Sequence, residues 1–110
     1  YHPGVDIANA HATPIEATGA GVVVNVSRDR GYGLMVEIDH GRGWTTRYAH
    51  LSDVNVKAGD QLRAGDSVGE MGRSGRATGV HLHYELRRYG LAVNPAPYLA
   101  AAQSVLAYNN

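Results

Sequence analysis

The chain has 110 residues, ten of them Lys or Arg and ten Asp or Glu, with 44% hydrophobic residues, 14 Gly, six His and no Cys. That length holds one domain with one core. Its formal charge of zero, with nine Arg and one Lys scattered between Arg28 and Arg88, offers no basic stripe to a nucleic acid or an anionic membrane. The lack of Cys excludes disulfides, thiolate metal sites and cysteine nucleophiles, and no apolar run is long enough to read as a membrane span or a signal peptide.

In chain order, His2-Pro3-Gly4-Val5-Asp6 comes first, an imidazole and a carboxylate in a stretch that Pro3 and Gly4 keep out of helix. Gly21 to Val26 reads as a buried strand, and Leu34 to Asp39 alternates as a half-buried strand does. The cluster His40-Gly41-Arg42-Gly43 then turns the chain into Trp44 to Leu51, which predicts a hairpin. Val54 to Lys57, Gln61 to Arg63 and Ser67 to Met71 are further short strands, divided by Ala58-Gly59-Asp60 and Ala64-Gly65-Asp66. A last strand runs from His81 to Arg88. Only the tail from Pro97 to Tyr108 carries a helical period, with Leu99, Ala102, Val105 and Leu106 on one face. Many short strands with glycine turns predict an all-β sandwich or barrel closed by a short C-terminal helix. A chain that opens at Tyr1 without Met is expected to be a fragment of a longer polypeptide.

Without cysteine, imidazole and carboxylate are the good transition-metal ligands that remain, so the placement of the histidines decides the chemistry. In His81-Leu82-His83, residues two apart on a strand share a face about 6.5 Å apart, a spacing that serves either two metal ligands or one ligand and one base. Tyr84 and Leu86 continue the Leu82 face, which makes that side the core and the histidine side a groove or solvent. Strict alternation puts Thr46, Tyr48 and His50 on one side of the preceding strand and Arg47, Ala49 and Leu51 on the other. His11 and His40 sit in loop and turn positions and read as structural. Glu85 shares the histidine face by parity, as a partner beneath a ligand, a rim residue or a salt-bridge acceptor.

Taken in order, these blocks resemble the lysostaphin-type (LytM-like) zinc metalloendopeptidases of bacterial cell walls. The resemblance runs from Tyr1 to about Leu99 through His2 to Asp6, Gly31-Tyr32-Gly33, Ile38-Asp39-His40-Gly41, Tyr48-Ala49-His50-Leu51, the loop Gly72 to Gly79 and His81-Leu82-His83-Tyr84-Glu85. It implies a small antiparallel hybrid fold built on a duplicated motif, residues 1–110 forming a single peptidase domain with its catalytic core in 1–99 and a helical tail in 97–108. It implies one Zn²⁺ held by His2, Asp6 and His83, with His50 and His81 facing the metal-bound water and the substrate carbonyl. Three nitrogen or oxygen ligands leave a fourth position open, as in catalytic zinc sites, and the zinc would acidify a water and polarise the scissile bond. No His-Glu-x-x-His motif supplies a glutamate base, so His81 is expected as general base and His50 as a second base or an oxyanion stabiliser.

The implied substrate is a peptide stem or cross-link of peptidoglycan, in the bacterial envelope. Tyr32, Ser74, Arg76 and Thr78 are candidate groove residues on the two Gly-rich loops. The competing expectation is a catalytically silent relative that binds wall or regulates a partner hydrolase, and an upstream inhibitory segment would also fit the family. A biotinyl or lipoyl carrier, suggested by Val56 to Met71, lacks a lysine in the turn after Glu70-Met71, where Gly72-Arg73 stands.

Overall fold

The computed structural model describes residues 4–77 and 79–95. The tail expected to be helical, 97–108, lies outside the described residues, as do His2 and Thr78. Among the described residues nine strands follow one another: β1 (Val5–Ala8), β2 (Pro14–Glu16), β3 (Gly21–Asp29), β4 (Gly33–Gly41), β5 (Trp44–Val54), β6 (Gln61–Leu62), β7 (Ser67–Met71), β8 (His81–Arg88) and β9 (Leu91–Val93). They form one all-antiparallel sheet in the order β1-β8-β5-β4-β3-β6, with β9 on β8, β7 on β5 and β2 on β7. The all-β expectation holds.

The β4–β5 hairpin turns through Arg42 and Gly43, both with positive φ (55° and 83°), as a tight two-residue connection requires. Two further turns repeat one device: Asp60 Oδ2 accepts the Lys57 N–H and Asp66 Oδ2 accepts the Arg63 N–H, each after a left-handed glycine. These turns also correct an expectation, because Val54 to Lys57 is not a separate strand. Val54 ends β5 opposite Gly69, and Lys57 already belongs to the first turn. Gly21 to Val26 is likewise not buried throughout. A bulge between Val23 and Asn25 shifts the register, Val23 enters the core, and Val22 and Val24 stay exposed.

β5 organises the rest. Its first half, Trp44 to Ala49, lies between β4 and β8, while its second half pairs with β7 through Leu51, Asp53 and Val54. The change of partner falls at His50. Leu34 to Val36 of β4 faces Leu51 to Tyr48 of β5, so β5 carries one residue more than its partner, and His50 has a φ of 62°. That combination is a β-bulge with a left-handed residue, which bends the strand and turns one side chain to the other face.

The core gathers Ile7, Ile15, Val23, Val36, Ile38, Tyr48, Leu51, Val68, Met71, Leu82, Tyr84 and Leu86 from seven strands. Tyr48 and Tyr84, paired across β5 and β8, meet edge to face with ring centroids 5.5 Å apart. Their buried hydroxyls need partners, and Thr18 and Thr46 supply them. Tyr48 Oη lies 3.0 Å from Thr18 Oγ1 and accepts from Thr46 Oγ1 at 2.8 Å, and Tyr84 Oη lies 3.1 Å from Thr18 Oγ1. Burial raises the pKa of both phenols, which keeps them neutral donors. His40, read from the sequence as structural, closes the same region by joining the Ala20 carbonyl (2.8 Å) to Thr46 Oγ1 (2.7 Å).

Candidate active site

The site stands on the other face of β8. Regular alternation sends Leu82, Tyr84 and Leu86 into the core and His81, His83, Glu85 and Arg87 to the opposite face of the strand. β1 then brings Asp6 directly opposite His83, and β5 brings Ala49 to its other side. Asp6 Oδ1 lies 2.8 Å from His83 Nδ1 and 3.7 Å from His81 Nε2, so one oxygen meets both rings of the His81-Leu82-His83 pair.

His50 reaches this face for a reason that alternation could not show. Parity assigned it to the side of Thr46 and Tyr48, which is the core; the left-handed bulge turns it over. Its ring centroid stands 4.9 Å from that of His81 and 6.0 Å from that of His83. A non-glycine residue in this conformation is strained and persists only where its surroundings over-determine it. Here the His50 N–H donates to the Tyr32 carbonyl (2.8 Å), and Nδ1 meets the Ser74 carbonyl at 2.6 Å.

Those two carbonyls come from the glycine loops, which press together. A Cβ on Gly33 would lie 2.4 Å from the Ser74 carbonyl carbon, and one on Gly75 would lie 2.4 Å from the Gly33 nitrogen, so neither position admits a side chain. The Ser74 hydroxyl donates to the Leu51 carbonyl (2.6 Å) and accepts from the Leu34 N–H (3.0 Å), which locks the bulge from both sides. Among the groove candidates, Tyr32 is half-buried beside His83, at 6.0 Å between ring centroids, and Arg76 is exposed on the rim. Thr78 lies outside the described residues.

Tautomers follow from these partners, because a carbonyl can only accept. His50 Nδ1 carries the hydrogen it donates to Ser74, and His81 Nδ1 carries the one it donates to the Gly79 carbonyl at 2.9 Å. In their neutral forms both rings therefore keep the Nε2 lone pair. Burial lowers the pKa of His50, only partly offset by the Ser74 hydrogen bond, so His50 is a neutral acceptor at neutral pH.

Beneath His83 lies a charged cluster that the sequence showed only in part. Glu85 is fully buried, and its Oε2 takes His83 Nε2 at 2.8 Å and the Tyr32 hydroxyl at 2.8 Å. Oε1 takes Arg87 Nε at 2.8 Å, with Arg47 Nη1 at 3.9 Å. Burial by itself would raise this carboxyl, but hydrogen bonds from His83, Arg87 and Tyr32 overcome it and hold the pKa at about 2. The Glu85 hydrogen bond in turn raises His83, against burial and with help from Asp6. Parity places Glu85 on this face, but no pattern in the sequence points to Arg47 and Glu37, which brace Tyr32 and Glu85 across the sheet. The histidine face is therefore open at Asp6, partly open at His81, and interior at Glu85.

The donor set suits a hard or borderline cation. Asp6 Oδ1 lies 2.8 Å from His83 Nδ1, a contact that demands a proton between them or a shared metal ion, and a carboxylate oxygen and an imidazole nitrogen are both donors that zinc accepts. Among the described residues they make up two of the three expected ligands, and no group of three metal-ligating side chains is complete there.

Sequence and fold place the chain in a class of peptidases. The chain is a member of peptidase family M23, whose model matches residues 1–95. It is 46% identical over 94 residues to the peptidoglycan DD-endopeptidase ShyA of Vibrio cholerae, covering 84% of this chain and 22% of ShyA. Among solved structures, the catalytic domain of lysostaphin from Staphylococcus simulans superposes with a TM-score of 0.84 at 32% identity, over 90% of this chain and 79% of that one. A zinc-containing peptidase from Vibrio cholerae superposes with a TM-score of 0.81 at 35% identity, over 84% of this chain and 28% of that one. The resemblance read from the sequence is thereby borne out.

Proposed function

We propose that this chain is a zinc-dependent endopeptidase that hydrolyses peptide bonds in the stems or cross-links of bacterial peptidoglycan. The observation that carries the reading is the convergence of Asp6 Oδ1 and His83 Nδ1, flanked by two imidazoles whose Nδ1–H groups are both tied to backbone carbonyls. The similarity to ShyA, a peptidoglycan DD-endopeptidase, and to the zinc-containing peptidase of Vibrio cholerae supports the substrate and the metal. Asp6, His83 and His2 would hold the ion. When bound, zinc supplies Lewis acidity that polarises a carbonyl and acidifies a water.

The residues of the chain do the proton work. His81 Nε2, 3.7 Å from Asp6 Oδ1, lies at the edge of the metal position and accepts a proton from the attacking water as its oxygen bonds to the carbonyl carbon. The same ring returns that proton to the leaving amine as the C–N bond breaks. His50, neutral and fixed by Ser74, faces the same space from the other side. It acts as a second acceptor and, once protonated, as a donor to the oxyanion. Tyr32 and Arg76 stand on the loops that flank the groove and are proposed to contact the peptide.

The test is elemental analysis for zinc followed by digestion of purified peptidoglycan. One equivalent of zinc and chelator-sensitive release of peptide fragments are expected. A chain that binds zinc yet cleaves neither wall nor model peptide would instead be a silent, regulatory member of the family.

A further inference from the structure

We propose that Glu85 is a positioning residue that fixes His83 in its Nε2–H form and so aims Nδ1 at the metal, with Tyr32 and Arg87 holding Glu85 in place. The inference deepens the zinc reading and rests on it. His83 is held between two carboxylates, at 2.8 Å on each nitrogen. Asp6 is half-exposed and itself a ligand candidate, so it cannot dictate which nitrogen is free. Glu85 can, because it is a fully buried anion that only accepts hydrogen bonds and sits against Nε2.

The carboxylate is in turn immobilised. Oε1 faces Arg87 Nε, and Oε2 is shared between His83 and the Tyr32 hydroxyl. Arg87 is pinned by a second bond to the Gly90 carbonyl (3.0 Å), and Arg47 lies over the Tyr32 ring with its guanidinium carbon 5.6 Å from the centroid. Tyr32 also lends its carbonyl to the His50 N–H. A single residue therefore touches the support of the proposed ligand and the support of one proposed catalyst. A metal-ligating histidine usually has its other N–H oriented by such a partner, and losing the partner typically costs about 10- to 100-fold in metal affinity.

Zinc affinity, measured by competition with a chromophoric chelator, and the His83 tautomer, read from long-range ¹H–¹⁵N correlations, test this in the full chain. Wild type should show Nε2–H at His83, both zinc-loaded and in the metal-free protein at alkaline pH. Glu85→Ala should weaken zinc about 10- to 100-fold and lose the single tautomer. Glu85→Gln, whose amide oxygen still accepts the N–H, should recover most of both. An Nδ1–H tautomer in wild type would overturn the proposal, as would a folded Glu85→Ala or Glu85→Gln with both wild-type affinity and no tautomer preference. If Glu85→Ala does not fold, the wild-type tautomer and the Glu85→Gln affinity decide. A wild type that takes up no zinc would overturn the metal reading, and the tautomer at alkaline pH would still judge Glu85 separately.

Discussion

On one face of β8, Leu82, Tyr84 and Leu86 pack into a core whose few polar atoms, the hydroxyls of Tyr48, Tyr84, Thr18 and Thr46, bond to one another as neutral groups. On the other face, His83, Glu85 and Arg87 bury charge beside His81. Both faces leave no buried side-chain nitrogen or oxygen unpaired among the described residues, yet they reach that state differently. The core face could lose a hydroxyl and remain apolar. The site face cannot lose a partner without leaving an ion stranded, and that makes it rigid where a ligand must be aimed.

The sharpest way to separate the faces is His81→Ala. If His81 is the base, hydrolysis should fall by about 10²- to 10⁴-fold in steady-state assays while zinc stays bound. Loss of the metal in that variant would make His81 a ligand instead. One residue along and on the core face, Leu82→Ala should do the reverse. Denaturant melts should show a loss of about 2–5 kcal/mol, with zinc per folded molecule unchanged.

A smaller effect comes from acid. The folded pKa of Glu85, about 2, lies below its ordinary 4.5, so its contribution to stability is fully present above pH 4.5 and is lost as pH falls through about 2. For a fully buried group that shift corresponds to roughly 3 kcal/mol, and thermal melts of metal-free protein between pH 6 and pH 2 should be steeper for wild type than for Glu85→Gln. The smallest change is Tyr48→Phe, expected to cost about 1 kcal/mol in stability and nothing in zinc affinity. A variant that loses zinc would show that the two faces are coupled.

How far the sequence carried the reading differs along the same lines. The pairing of His81 with His83, and the opposite burial of Leu82 and Tyr84, were legible because β8 is regular and period two needs no knowledge of its neighbours. His50 was assigned to the wrong face because its orientation depends on a bulge set by cross-strand register and by the carbonyls of Tyr32 and Ser74, all distant in sequence. The short strands β1, β2 and β9 escaped notice for a related reason, since three or four residues carry no periodicity until a partner strand defines them. Glu85 was visible by parity, but its partners Tyr32 and Arg47 come from a loop and another strand.

The most direct test is mass spectrometry of the fragments released from purified peptidoglycan by the zinc-loaded chain, with and without chelator. Peptide fragments with new amino and carboxyl ends, absent after chelation and absent with His81→Ala, are the expected result. Intact peptide stems and cross-links in the presence of stoichiometric zinc would contradict it.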